Sequence, residues 1–358
     1  MGPVWDLGWA GGFHGHPAGV DTPAPARRTL GRSRSPTGLI SQRGDGLGST
    51  TVTNEQHGFI IVDKPQDITS HGVVARMRGI ARTRKVGHGG TLDPMATGVL
   101  VIAVGKATKL LTYVSGLDKS YSATVRLGQS TVTDDAEGDV IASSATDHLT
   151  AADIEAAFAP LRGHIQQRPS AVSAIKINGE RAYKRVRDGE DVELPARPVT
   201  ISRLDITDIR RGEFVEIDIT VDCSSGTYIR AIARDAGEAL GVGGHLRALR
   251  RTSVGGFGLD EAFTLETLQE RKDAGEPVPL TDMGTSAGRL METFVVGEDE
   301  ARKLSFGQSP PWRGSARTDE ESVLMGAALN ESGELLAVVS EVDGRAKPAV
   351  VFKAHGSA

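Results

Sequence analysis

The sequence predicts an α+β protein, because two-residue apolar alternation and helical apolar spacing both occur, in separate blocks along the chain. YSATVRL puts Tyr121, Ala123, Val125 and Leu127 on one face, and VEIDITV does the same for Val215, Ile217, Ile219 and Val221. Near the C-terminus, the short apolar runs SVLMGAAL, LLAVVSEV and PAVVF are separated by NESGE and DG turn chemistry, which adds a small β-rich tail.

The elements follow in order. From Gly58, FIIVDKP reads as a short strand stopped by Asp63, Lys64 and Pro65, with Thr69 and Ser70 as N-cap candidates for a following helix. Val73, Val74, Met77 and Ile80 then recur at helical spacing, which leaves Arg76, Arg78 and Arg82 on other faces. Thr150 and Asp153 form a capping-box pattern ahead of Ile154, Phe158 and Leu161. Gln166 to Arg197 is rich in Arg and Lys and poor in apolar periodicity, and reads as an exposed insertion. After Cys223, a Ser-Ser-Gly turn leads into a helix carrying Ile229, Ile232, Ala236 and Leu240, closed by Gly241.

A length of 358 residues exceeds one ordinary domain. The expected division is an extension over 1–55, a main domain over 56–288 with the insertion at 166–197, and a β-rich domain over 289–358. Residues 1–50 hold 11 of the 44 glycines, 5 of the 16 prolines and no lysine, a composition that cannot pack a core and reads as disordered. With Asp6 and scattered glycines, this start is not a signal peptide, and an artefactual or lineage-specific extension is the reading adopted. No apolar run approaches the roughly 18 residues of a membrane span. A single cysteine, Cys223, excludes an internal disulfide and any cysteine-cluster metal site, and fits a reducing compartment.

The net charge of -5 argues, as an average, against nucleic-acid binding. Its distribution argues the other way. Between Arg76 and Lys109 there are seven basic residues and one acid, Asp93; between Arg162 and Arg187 there are again seven, with Glu180 the one acid. From Asp260 to Glu300 eleven acids stand against three bases. Basic segments of this kind suit phosphate contacts, each of which releases counterions, although a solvated basic face has the same pattern.

Common catalytic templates fail. The glycines around GVLVIAVGKAT are too far apart for a P-loop, and Ala107 follows Lys106 where Ser or Thr is needed. GHGG at Gly87–Gly90 lacks dinucleotide-binding spacing, and the nine scattered histidines make no metal pair. What remains is RTRKVGHGGTLDPMATGVL, whose lone carboxylate, Asp93, sits in a turn with Pro94 among bases. An Asp before Pro is ordinarily a turn residue. Surrounding cations favour its ionised form, which makes it a nucleophile candidate.

At this segment the chain resembles the TruB family of tRNA pseudouridine-55 synthases. The family pattern GHxGxLDPxATGxL stands here as GHGGTLDPMATGVL, with Gly89 where Thr is common. KSYSATVRLG, QQRPSAVSAIKINGERAYKRVRDG, CSSGTYIRAIARDAGEALG and HLRALRRTSVG follow in family order, so the resemblance spans about Gly58 to Gly256. It implies a pseudouridine synthase domain with a mixed, largely antiparallel sheet and a PUA-like C-terminal β domain. It further implies isomerisation of uridine 55 in the tRNA T-loop by an enzyme with no cofactor and no metal. That enzyme would act as a cytoplasmic monomer on the T-loop and stem, without membrane, guide RNA or protein partner.

Carried over, Asp93 is the nucleophile, Arg230 the arginine that pairs with it, and Tyr121 the ring that stacks on the flipped uracil and shuttles a proton. Tyr228 and Leu249 line the base pocket, His88 helps hold the T-loop with its base extruded, and Lys64 is a phosphate or structural contact. Lys176, Arg181, Lys184 and Arg185 of the insertion, which resembles the family's thumb, contact phosphates. Taken alone, Tyr121, Tyr228 and Leu249 are also ordinary core residues and His88 an ordinary turn residue. Attack at C6 of the base or at C1′ of the ribose both remain open. An RNA-binding or RNA-folding protein whose chemistry is secondary or lost and an RNA-guided relative are the alternatives. The intact Asp93, Tyr121 and Arg230 set favours an enzyme, and the basic insertion favours the stand-alone form.

Overall fold

The computed structural model describes residues 56–170, 176–177, 180–181, 194–315 and 323–352. The expected extension over 1–55 lies outside the described residues, as do Lys184, Arg185 and the side chains of Lys176 and Arg181.

The first two long strands show why their sequences are apolar throughout. Gly58–Lys64 and Thr97–Val104 pair antiparallel, from Gly58 opposite Val104 to Lys64 opposite Gly98. Both faces are covered. Ile60, Val62, Leu100 and Ile102 pack with buried residues of the Ser70–Ile80 and Leu265–Asp273 helices. Phe59, Ile61, Val99 and Val101 join a second cluster with Leu335, Val338 and Phe352. The C-terminal sheet therefore shares a core with the first strands. The Ser70–Ile80 helix starts where expected: the Thr69 hydroxyl accepts from Gly72 N at 2.9 Å, and Val73, Val74, Met77 and Ile80 are buried.

The main sheet runs, in hydrogen-bonded order, Gly58–Lys64, Thr97–Val104, Gly244–Val254, Lys119–Leu127, Val215–Cys223, Arg197–Arg211 and Gly163–Gln167. Neighbours on this path are antiparallel except at one join, where Arg250 and Arg251 pair in parallel with Thr97 and Gly98. This is the mixed, largely antiparallel sheet that the family resemblance implies. The parallel join needs a glycine: Gly98 has φ +99°, and a Cβ there would collide with the Arg251 backbone.

On Lys119–Leu127 and Val215–Cys223 buried residues alternate with half-exposed ones, so one face is covered and the other is open. Tyr121, Ala123, Val125, Leu127, Val215, Ile217, Ile219 and Val221 form one core with Ile154 and Phe158 of the Ala151–Phe158 helix and Ile229, Ile232 and Ala236 of the Ile229–Ala239 helix. The Thr150 and Asp153 capping box is present. Gly241, with φ +72°, follows the second helix.

The basic insertion leaves and re-enters the sheet between paired strands, with Gln167 opposite Arg197. Within it, Lys176 pairs with Arg181 in a two-stranded antiparallel ladder. At the C-terminus Met325–Leu329, Leu335–Val342 and Arg345–Val351 form the meander read from the sequence. Its last hairpin turns at Asp343 and Gly344, both with positive φ as a two-residue loop requires. Glu292–Val295 adds a fourth, parallel strand beside Met325–Leu329.

Candidate active site

The loop bearing Asp93 is held from three sides. Ser70, buried at the start of its helix, accepts from Leu92 N at 2.9 Å and donates to Leu92 O at 3.1 Å. Lys64, buried at its strand end, donates to Pro65 O at 2.9 Å and Pro94 O at 3.0 Å. Asp67 N also donates to Pro94 O, at 3.0 Å. These bonds satisfy the carbonyls on both sides of Asp93 and leave its side chain 37% exposed at a cleft. Burial pulls the Lys64 ammonium down to about 8, against the raising effect of Glu137, Asp67 and Asp93.

Arg230, in the first turn of its helix, points into the same cleft with a side chain 7% exposed. Its Nε lies 3.1 Å from Asp93 Oδ2. Its Nη1 donates to Asp135 Oδ2 at 3.1 Å and to Thr133 O at 2.9 Å. Asp135 is itself buried, and its other oxygen accepts from Glu137 N at 3.0 Å and from the Thr133 hydroxyl. A buried guanidinium between two carboxylates is satisfied on one edge by a fixed partner and offers the other edge to the exposed one. Asp135 thus holds Arg230 in place, and Arg230 orients Asp93.

Tyr121 stands across the central sheet from Arg251, and both side chains face the cleft. Arg251 is 1% exposed. Its Nε donates to Val99 O at 2.8 Å, Nη2 to Gly90 O at 3.0 Å and Nη1 to Thr91 O at 3.4 Å. Burial pushes the Tyr121 phenol above its ordinary range, and the adjacent Arg251 pulls it part of the way back. Lys119 also lines the cleft, donates to Leu117 O at 2.6 Å and Ser115 O at 3.2 Å, and is drawn down to about 8 by burial and then by Arg251.

Leu249 and Tyr228 complete the apolar side of the cleft. Tyr228 precedes the Ile229–Ala239 helix, and the buried Gln167 side chain grips its backbone twice: Tyr228 N donates to Oε1 at 2.8 Å, and Nε2 donates to Tyr228 O at 3.0 Å. Five of the expected residues, Asp93, Tyr121, Tyr228, Arg230 and Leu249, therefore converge on one cleft of about 250 Å³. That is slightly below the roughly 300–1,000 Å³ of drug-sized pockets and suits a single nucleoside.

Lys64 and His88 lie outside that lining. Lys64 is turned to the loop carbonyls. His88 packs edge-to-face on His71 with ring centroids 5.2 Å apart, and burial lowers its pKa. At Gly89, a Cβ would strike the side chain of Val114 in the Leu111–Ser115 helix, so this chain's departure from Thr matches the closeness of that helix. Asp135, Arg251, Lys119 and Gln167 belong to the site and are not among the residues singled out from the sequence. Lys119, Gln167 and Arg251 stand in quoted blocks, KSYSATVRLG, QQRPS and LRRTS, without a spacing that marks them.

An aspartate on a glycine-rich loop, an arginine paired with it and a tyrosine lining the same cleft, carried on this mixed sheet, are the arrangement that the resemblance to the pseudouridine synthases implies. Over 83% of its length the chain superposes on 84% of a chain from a Cbf5-Nop10-Gar1 complex, with a TM-score of 0.61 at 25% identity. The chain belongs to the TruB family: the TruB family pseudouridylate synthase N-terminal domain matches residues 78–229, and the tRNA pseudouridylate synthase B C-terminal domain matches 230–281. It is 55% identical over 300 residues to tRNA pseudouridine synthase B of Arthrobacter sp., which covers 82% of this chain and 96% of that protein. The corresponding protein of Corynebacterium diphtheriae is 52% identical over 304 residues, covering 84% and 97%.

Proposed function

We propose that this enzyme converts uridine 55 in the T-loop of tRNA to pseudouridine, with Asp93 as the nucleophile on a base turned out of the loop. The observation that carries the reading is the Asp93 carboxylate, exposed at a nucleoside-sized cleft and 3.1 Å from the buried Arg230 guanidinium. A carboxylate so paired is held in one orientation and aimed at substrate. The reaction is an isomerisation: the C1′–N1 bond breaks, the base turns, C1′ bonds to C5, N1 gains a proton and C5 loses one. No redox step, water or energy source enters the balance.

Each side chain has a part in this scheme. Asp93 adds to C6 of the base or to C1′, the C1′–N1 bond breaks while the base stays bound, and the bond to Asp93 breaks again once C1′ has joined C5. Leu249 and Tyr228 supply an apolar wall along which the base can turn, and Tyr121 stacks on it and shuttles a proton, its phenol giving up its own proton toward N1 as it takes the one that C5 loses. His88 and the loop held by Lys64 support the extruded conformation, whose unstacking cost phosphate contacts offset. Those contacts are assigned to Lys176, Arg181, Lys184 and Arg185. Residues 56–288 then carry catalysis, and 289–358 add RNA-binding surface.

The relatives' name supports tRNA as substrate, and a monomer acting in the cytoplasm without guide RNA or protein partner is the assignment for this chain. No helix among the described residues is long and apolar enough to cross a membrane. The purified protein incubated with an unmodified tRNA transcript should yield pseudouridine at position 55 alone. Binding without product, or product only after addition of a guide RNA or second protein, would overturn the proposal.

A further inference from the structure

One helical turn beyond Arg230, a second arginine repeats its pattern. Arg234 Nη1 lies 3.3 Å from Asp134 Oδ2, and Nη2 donates to Arg168 O at 2.8 Å. Asp235 takes the remaining edge, from Nε at 2.9 Å and from Nη2 at 2.7 Å. Two arginines four residues apart on one helix repel each other. Here they are matched by two consecutive aspartates on a neighbouring loop, Arg230 with Asp135 and Arg234 with Asp134.

Asp134 holds this position at φ +59°, in the left-handed region that Asp and Asn tolerate better than other side chains. Both partners are largely buried, at 18% and 15% exposure. Burial pushes the Asp134 carboxyl up, whereas Ser170, buried beside it, and Arg234 hold it down. The bond to Arg168 O matters because Arg168 follows directly on Gln167, where the basic insertion leaves the sheet. One side chain thus joins the helix bearing Arg230, the loop bearing Asp135 and the root of the insertion.

We infer that Asp134 and Arg234 are a positioning pair that fixes the root of the basic insertion to the Asp135–Arg230–Asp93 chain. Neither touches the reacting atoms. Their role is to keep Arg230 and Asp135 in register with the segment assigned to RNA contact, so that the nucleophile is aligned when RNA is bound. The inference extends the tRNA reading and rests on it for its kinetic test.

Asp134→Asn is the informative variant, because Asn keeps the left-handed backbone and the side-chain size and removes the charge. With unmodified tRNA transcript at saturating enzyme, its single-turnover rate should fall about tenfold while its Kd for the transcript stays unchanged, the size expected for disrupted coupling between sites. Arg234→Ala should lower the rate similarly, and the double variant should be no slower than the slower single one, as a pair acting as a unit requires. If Arg234→Ala does not fold, Arg234→Lys replaces it and should give an intermediate rate, because it keeps the charge and loses the fork.

Hydrogen exchange at the amides of 133–137 reads the tie without RNA and should quicken in Asp134→Asn. A wild-type rate and unchanged exchange in that variant, or losses that multiply in the double variant, would overturn the inference. Equal losses in rate and in binding would do the same. Wild-type protein inactive on tRNA, with exchange still quickened in Asp134→Asn, would overturn the substrate reading and leave the tie intact.

Discussion

Arg251 and Tyr121 face each other across the centre of the main sheet, and the buried guanidinium that reaches the phenol also bonds the carbonyls of Val99, Gly90 and Thr91. The floor of the cleft and the approach to the Asp93 loop are therefore fixed by one side chain. Arg251→Met fills a similar volume but leaves three carbonyls without their donor. The expected loss of stability is about 2–4 kcal/mol, since a hydrogen bond to a charged group contributes roughly 1.5–3 kcal/mol and a stranded buried acceptor costs ~1–3 kcal/mol. A lower denaturant midpoint with an unchanged m value measures it. The Tyr121 phenol, losing the charge that offsets its burial, should titrate still higher in this variant by absorbance at alkaline pH.

Asp93→Asn separates chemistry from structure. The carboxylate is partly exposed, and Arg230 keeps its bonds to Asp135 and Thr133 when Asp93 is neutralised. Thermal stability should change by less than about 1 kcal/mol, the range of solvent-facing ion pairs. Affinity for tRNA should persist, and single-turnover product should vanish. Residual turnover near the wild-type rate would remove Asp93 from the nucleophile's place.

How far the sequence reaches is decided by which contacts are local. The strands around Tyr121 and Val215, the Thr69 and Thr150 caps and the Asp343–Gly344 turn depend on neighbours within a few residues, and each is where its pattern puts it. Asp93, Tyr121 and Arg230 were legible through their motifs. Asp135 was not: TDDAEGD has the look of a solvated acidic loop, and it is buried because Ala136 N bonds Leu246 O and Leu246 N bonds Asp134 O, far along the chain. Arg251 was hidden by irregular pairing. Register shifts between Leu246 and Ala248 and between Arg251 and Ser253 break the two-residue period, so alternation cannot tell that Arg247 and Arg250 face outward while Arg251 is buried beside Tyr121.

Gln167→Ala tests the clamp on Tyr228. Its removal takes away the acceptor that Gln167 offers the Tyr228 N–H at 2.8 Å and one of two donors to the Tyr228 C=O, Gln167 at 3.0 Å and Ala231 N at 3.1 Å. Loss of the two part-buried bonds makes the expected cost about 1–3 kcal/mol, read as a lower unfolding midpoint. Because Tyr228 lines the cleft and begins the helix that carries Arg230, KM for tRNA should rise and the single-turnover rate should fall together. Gln167→Glu keeps the acceptor for Tyr228 N and loses the donor to its carbonyl, and should lie between Gln167→Ala and wild type.

Stability should rise with pH above about 8, because the native state holds Lys64 and Lys119 near that value while both titrate near 10.5 when unfolded. Between the two values the unfolded chain binds more protons than the native one. Unfolding free energy then climbs by about 1.4 kcal/mol per pH unit for each such group. Below pH 8 both states bind the proton and the slope vanishes. Cys223 acts oppositely: burial raises its thiol from 9.0 to about 11, so the native state keeps a proton that the unfolded chain loses. The rise should therefore be steepest between pH 8 and 9 and flatten above it. Lys64→Met removes one of the two rising contributions and leaves Cys223 unchanged. The difference between wild-type and Lys64→Met unfolding free energies should grow with pH from about 8 to 10.5 in favour of the wild type, and urea titrations at half-unit pH steps measure it. A constant difference across that window would place the Lys64 ammonium at its ordinary value in the native protein.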